Sequence, residues 1–464
     1  MTNLNESPVN KLLSYYRILP DSLACITTPD RLTGEAGFFR FHGQVCYGRN
    51  LSGTTPDVSR VEDFDTSNGV VPSGPIIRLP FCFAEVIDNL RLERYRQNMI
   101  PGREVFARTE IVRRLYYFIR RALPIWLRRP LQKAYFSDWQ HLIFPSWPVD
   151  FTVDVLHQEL LRLLMTAGGV KRVPFIWFWP KGASGCLMMT HDVETSAGRD
   201  FSSALMDMDD SFGIKSSFQV VPEKRYRVLD SYVSEVRRRG FELNLHDLNH
   251  DGKLYRERQE FERRAAKINS YIRKYGARGF RAGSMYRRQD WYDVFQFSYD
   301  MSVPNVARLE PMRGGCCTVM PYFVGNIVEL PLTLAQDYSL FHILDDYSID
   351  LWKQQLSLIR AQHGLMSFIV HPDYVVERRA RDVYRSLLGY LKETVARERI
   401  WAALPGDVDL WWRARSQMSL LARGDGWEIM GPESERARLA YATLDGNRLV
   451  YELAEVPSRE PAVQ

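Results

Sequence analysis

Between residues 185 and 415 the chain alternates short, buried-looking β-rich runs with longer amphipathic stretches, and that alternation leaves few folds open. A buried run, a helical pattern and another buried run build βα units around a mostly parallel sheet or barrel. The candidate strands are Cys186–Asp192, Ser216–Val221, Phe241–Leu245, Gly279–Gly283, Ile327–Leu330 and Met366–His371. Helical patterns cover 226–239 and 255–275, the latter with Phe261, Ala265, Ile268 and Ile272 at three- and four-residue spacing. Residues 1–180 mix short apolar runs with Gly, Pro and Asp breaks and reveal no fold of their own. After residue 416 the texture changes again. Asp445-Gly446 separates the runs Ala437–Thr443 and Arg448–Leu453, a hairpin signal that predicts a small antiparallel β appendage. The expected domains are therefore 1–180, 181–415 and 416–464.

The composition, 45% hydrophobic and 25% charged over 464 residues, is that of a globular chain able to bury sizeable cores. Six cysteines without a CxxC pair read as reduced thiols. Neither a signal-peptide pattern nor an 18-residue uncharged apolar stretch occurs, so the sequence predicts a cytoplasmic protein. The net charge of +5 is concentrated: residues 103–138 hold nine Arg or Lys against three acids. Within them, residues 111–123 are amphipathic, with Arg113, Arg114, Arg120 and Arg121 on one side and Ile111, Val112, Leu115, Phe118, Ile119 and Leu123 on the other. Such a helix is a domain helix with a solvated basic face, or it lies on an anionic membrane, giving peripheral membrane contact through residues 111–129. No nucleic-acid-binding motif accompanies these arginines.

The chemistry-bearing residues sit at the ends of the predicted strands. In NLHDLNHDG, His246 and His250 meet one metal ion if the backbone between them makes one helical turn. The run GCLMMTHDVE ends in Asp192 and Glu194, which alternation places on one side at the carboxyl end of a buried strand. Two acids together need compensation. A divalent cation held by Glu194, His246 and His250 supplies it and leaves Asp192 beside the metal. A third run, GLMSFIVHPDY, ends at His371.

The order of these segments resembles the polysaccharide deacetylases of the NodB-homology type, carbohydrate esterase family 4, over about residues 185–400. THDVE is similar to the first family motif, in the branch with one residue between the acids; NLHDLNH to the second; FRAGSMYR at 280–287 to the third; Asp300 to the fourth; His371 to the fifth. The resemblance implies a distorted (β/α) barrel, and the expected fold is that barrel with an N-terminal α/β region and the β appendage on either side. The resemblance also implies hydrolysis of an N-acetyl group on a sugar of a bacterial surface polysaccharide or its precursor, with Zn²⁺ as the expected cofactor. By position, Asp192 is the general base, Glu194, His246 and His250 are metal ligands, Arg281 orients the base with Asp300 behind it, and His371 is the general acid. Ser284 would offer a backbone N–H to the oxyanion. The chain departs from the motifs at His191, where Phe is usual, at Gly283, where Pro is usual, and after Asp300, where no Trp follows. Those departures make a catalytically inactive, glycan-binding or scaffolding descendant the alternative expectation.

Overall fold

The structure is a computed structural model that describes residues 8–98, 136 and 138–455, apart from 20–22, 24, 30, 33, 75 and 425. The basic stretch 111–129 lies outside the described residues. In chain order the strands are β1 (Cys25–Thr27), β2 (Gly37–Phe41), β3 (Gln44–Gly48), β4 (Val71–Ser73), β5 (Ile76–Arg78), β6 (Arg172–Ile176), β7 (Cys186–Val193), β8 (Ser216–Val220) and β9 (Glu242–His246). They continue with β10 (Gly279–Arg281), β11 (Tyr299–Asp300), β12 (Tyr322–Val324), β13 (Ile327–Glu329), β14 (Leu365–Ile369), β15 (Trp401–Ala402), β16 (Ser419–Arg423), β17 (Gly426–Met430), β18 (Leu439–Asp445) and β19 (Arg448–Leu453).

One nine-stranded sheet organises the molecule, in the order β12-β13-β11-β10-β9-β8-β7-β14, with β15 beside the first residues of β7. Every pairing in it is parallel except that of β12 with β13. The helices Ser196–Ser211, Asp230–Arg238 and Arg258–Tyr275 make the crossovers β7–β8, β8–β9 and β9–β10. This is a curled, incompletely closed βα barrel. All residues of β7, β8 and β14 are buried, which is why they read as continuous apolar runs rather than as alternating ones. Parallel strands deliver all their carboxyl ends to one edge, and the acid and histidine motifs arrive there together.

Two cores flank the sheet. Met189, Phe218, Leu245, Phe280 and Phe368 pack against the helices with Leu205, Val236, Ile268 and Leu387. On the alternate face, Cys186, Met188, Tyr299 and Leu365 pack with Phe38, Phe81, Leu161, Trp179 and Trp411, so the N-terminal residues fill the inside of the sheet below the carboxyl edge. Asp154 reinforces this junction by accepting hydrogen bonds from Thr318 Oγ1 at 2.6 Å and from the Val319 N–H at 2.9 Å. A buried ion pair adds a second tie: Arg287 Nε donates to Glu93 Oε2 at 2.6 Å, and Arg287 Nη2 donates to Glu93 Oε1.

At the C-terminal end β16 and β17 form one hairpin, and β18 and β19 another, turned one residue later than the Asp-Gly signal, at Gly446-Asn447 between the paired Asp445 and Arg448, with Gly446 in the left-handed region at φ 58°. The second hairpin is completed by β6, antiparallel to β18 from Leu439↔Ile176 to Thr443↔Arg172. All six cysteines are free thiols. Among the described residues no helix is long and apolar enough to cross a membrane.

Candidate active site

Asp192 is the penultimate residue of β7, 2% exposed, and its Oδ1 accepts a hydrogen bond from Arg281 Nη1 at 2.7 Å. Arg281 ends β10 and is fully buried; its Nε donates to the Met301 carbonyl at 3.0 Å and its Nη1 also donates to Thr190 Oγ1 at 2.8 Å. The guanidinium is thus fixed through Nε and Nη1, while Nη2 is buried without a hydrogen-bond partner among the described residues. Burial raises the Asp192 carboxyl, but Arg281 and the imidazoles of His246 and His371 outweigh it and hold the group below the usual carboxylate range.

Glu194 follows directly, and its Oε1 lies 2.9 Å from His250 Nε2 and 3.6 Å from both His246 Nε2 and His371 Nε2. One donor atom each from Glu194, His246 and His250 can be chosen so that all lie within 4.8 Å of one another. Against the burial that raises it, the surrounding imidazoles, His250 foremost, hold the Glu194 carboxyl well below its ordinary value. The two histidines are brought together differently from the helical turn expected. His246 closes β9, and the chain then bends through left-handed residues at Asp247 (φ 58°) and His250 (φ 52°). Asp247 is held in that bend because its N–H donates to the Arg281 carbonyl at 2.8 Å.

The donor set fits a divalent cation. His246 Nδ1 sits 3.2 Å from the Arg281 carbonyl, so the proton belongs on Nδ1 and Nε2 keeps a lone pair. Nε2 of His246 and Nε2 of His250 are both buried without a well-formed hydrogen bond. Two imidazoles and one carboxylate are the ligand chemistry of a catalytic zinc site. His250 adds one condition. Arg225 Nη2 lies 3.0 Å from its Nδ1 and donates to its carbonyl at 2.8 Å. Ligation through Nε2 puts a proton on Nδ1, so Arg225 must leave that nitrogen and keep only the carbonyl.

His371 lies across from these three side chains, held by a residue that sequence reasoning missed. Asp337 is fully buried; its Oδ1 is 2.6 Å from His371 Nδ1 and its Oδ2 accepts the His371 N–H at 2.6 Å. Burial depresses an imidazole, yet Asp337 and then Glu194 raise His371 well above its usual 6.5. Asp300 does not take its expected place behind Arg281. It pairs in register with Phe280 and Glu329, so it faces the helix layer, opposite to Arg281 one residue further along β10. There its Oδ2 accepts from Tyr292 Oη at 2.6 Å and its Oδ1 from Ser302 Oγ at 2.8 Å, while burial lifts both Asp300 and Glu329.

The third motif forms a tight turn, Gly283–Met285, with Ser284 and Met285 both left-handed at φ 55° and 53°. A Cβ on Gly283 would stand 2.7 Å from Asp247 Oδ2 and 3.0 Å from His250 Cδ2, so a side chain here would displace Asp247 or His250. That packing explains the departure from Pro and seats the Ser284 turn against His250. Arg287, anchored by Glu93, supports the turn by donating from Nη1 to the Met285 carbonyl at 2.8 Å. Asp373 braces the other side, accepting from the N–H of Glu194 at 3.3 Å and of Gly198 at 3.2 Å and from the Thr195 hydroxyl. His191 points away from the site: Nδ1 is 2.9 Å from the Val370 carbonyl and Nε2 is 3.0 Å from Asp209, which also accepts from Tyr384 and Ser216.

No family model matches the chain, and no curated protein matches it. Solved structures do. A Mycobacterium smegmatis protein described as a polysaccharide deacetylase is 18% identical, with a TM-score of 0.42, over 54% of this chain and 98% of its own. The likeness is to polysaccharide deacetylases of carbohydrate esterase family 4. The peptidoglycan deacetylase PdaC of Bacillus subtilis matches at 10% identity and a TM-score of 0.29, over 49% of this chain and 90% of its own. The PuuE allantoinase matches at 12% identity and a TM-score of 0.38, over 51% and 92%.

Proposed function

We propose that the protein is a metal-dependent hydrolase that removes the N-acetyl group from an N-acetylated sugar of a bacterial surface polysaccharide or its precursor. One observation carries this reading: a Glu194, His246 and His250 donor set stands between an ionised carboxylate locked by Arg281 and an imidazole locked by Asp337. Zinc bound by that set supplies Lewis acidity toward the attacking water and the acetyl carbonyl.

The chain's own residues do the proton work. Asp192 takes a proton as the water oxygen bonds to the acetyl carbon, and Arg281 keeps the carboxylate oriented and ionised for that step. The turn at Ser284 offers its backbone N–H to the carbonyl oxygen as charge develops there. His371 delivers its Nε2 proton to the departing nitrogen when the C–N bond breaks, leaving acetate and a free sugar amine. Asp337 positions that imidazole through Nδ1 and keeps it protonated.

The pH dependence follows from signs. His371 must be protonated, so activity falls as pH rises through its raised pKa. Asp192 must be ionised, so activity falls only when pH drops below its lowered one. In Asp337→Asn the alkaline limb of kcat is expected to move down by roughly 1–3 pH units with the acid limb in place. An unmoved alkaline limb removes His371 from the acid role.

Acetate release from N-acetylhexosamine oligosaccharides and nucleotide sugars, measured together with bound metal, tests the whole reading. Roughly one zinc per chain is expected, with activity lost on chelation and regained with zinc. The inactive glycan-binding alternative is favoured by a single contact, Arg225 on His250 Nδ1. Purified protein that holds no stoichiometric metal and releases no acetate decides for it.

A further inference from the structure

We infer that a basic groove beside the catalytic centre binds a phosphate or diphosphate group carried by the substrate. The inference rests on the deacetylase reading for its link to sugars. The groove itself is read from this chain alone. It has a volume of about 580 Å³ and is formed by Pro222 and residues 224–230 together with Tyr271, Lys274 and Tyr275 from the last turn of the helix Arg258–Tyr275. Residues 222–229 follow β8, so they belong to the same carboxyl edge that carries Asp192 and His246.

Its charge is one-sided. Lys224, Arg225, Arg227 and Lys274 line it, all exposed, against a single lining carboxylate, Asp230. Asp230 opens the helix Asp230–Arg238, where the helix N-terminus favours a negative charge. The neighbouring Glu223 is turned to Lys267 at 3.4 Å and to Tyr271 Oη at 3.5 Å. Among the described residues no carboxylate is paired with Lys224, Arg227 or Lys274. Four cations gathered in one cleft repel one another unless a multiply charged anion joins them, and guanidinium groups match phosphate oxygens in geometry as well as in charge.

The groove is also bolted to the reacting centre. Arg225 donates to the His250 carbonyl, and Tyr226 Oη donates to the Val193 carbonyl at 2.6 Å, one residue before Glu194. One guanidinium therefore stands between a groove anion and a ligand histidine. That juxtaposition suits an N-acetylated sugar whose phosphate lies close to the sugar being deacetylated. Tyr271 and Tyr275, stacked at 5.8 Å and 20°, add an aromatic wall next to Lys274 for a group attached beyond the phosphate.

Two measurements test the groove, and neither depends on the other. Calorimetric titration of the purified protein with inorganic pyrophosphate, without added metal, is expected to show binding that weakens with salt. The double variant Arg227→Ala/Lys274→Ala is expected to weaken it by about tenfold or more. No binding to the wild type, or equal binding to the variant, overturns the inference. For acetate release, kcat/KM with N-acetylglucosamine 1-phosphate or uridine diphosphate N-acetylglucosamine is expected to exceed that with neutral chitooligosaccharides by about tenfold. In the double variant this advantage collapses through KM, while kcat on the neutral sugar is kept. Preference between the two phosphorylated sugars identifies a monophosphate or a nucleotide as the source. Equal kcat/KM for neutral and phosphorylated sugars overturns the assignment to substrate. Pyrophosphate binding without acetate release from any sugar supports the anion site and refutes the hydrolase reading instead.

Discussion

Asp192→Asn is expected to lower kcat for acetate release by roughly 10²- to 10⁴-fold. The substitution is nearly isosteric and keeps an oxygen facing Arg281 Nη1, so the orientation survives while the basicity is lost. Because Glu194, His246 and His250 are untouched, bound zinc is expected to remain near one per chain. The change also leaves Arg281, fully buried, without its carboxylate partner, which lowers stability. A thermal melt beside the kinetics therefore separates lost chemistry from lost fold. Full activity in a folded, zinc-loaded Asp192→Asn protein would remove this carboxylate from the mechanism.

The largest effect on stability is expected at a residue far from the chemistry in sequence. Glu93→Ala deletes the partner of Arg287, itself 1% exposed. Burial alone lowers the pKa of that guanidinium, and Glu93 more than reverses this. Glu93 also accepts the Gly315 N–H at 2.7 Å, so its removal leaves a buried cation and a backbone donor together. Loss of one partner from such a pair typically costs about 3–5 kcal/mol. Urea denaturation should show a loss of unfolding free energy of that order, with Glu93→Gln losing less because its amide oxygen still accepts from the N–H donors of Arg287 or Gly315. The double variant Glu93→Gln/Arg287→Met should recover part of the loss. A Glu93→Ala midpoint equal to wild type would mean that the pair adds nothing. Since Arg287 also holds the Met285 carbonyl, kcat is expected to fall with stability in Glu93→Ala, through the Ser284 turn.

Much of this site was legible because the chemistry terminates apolar runs. Strands buried on both faces announce themselves, and whatever polar residue ends them is placed at the carboxyl edge; that logic located Asp192, His246 and His371. Shorter elements gave no such signal. Tyr299–Asp300 and Trp401–Ala402 are two residues each, too short for any periodicity. Asp337 opens a short helical segment 34 residues before its histidine, and no spacing rule links the two. Its only trace is an acid soon after the apolar run at 327–330, the same pattern that marked Asp192. Asp300 drew attention instead through its resemblance to the fourth family motif, but a one-residue offset in a strand reverses the face. Gly283 was visible as a departure from Pro, while its reason, Asp247 and the His250 ring where a Cβ would stand, exists only in three dimensions.

The pairing of β6 with β18 sets an order of events during synthesis. Residues 172–176 leave the ribosome long before residues 439–443, and at roughly 5–20 residues per second the wait lasts tens of seconds. Through that interval Phe175 and Ile176, buried in the finished protein, have no strand beside them. A nascent chain in this state exposes an apolar strand edge, the kind of surface that chaperones cover and aggregates recruit. The barrel strands are all made by then, but the molecule closes only when its last hairpin returns to a strand that precedes Asp192.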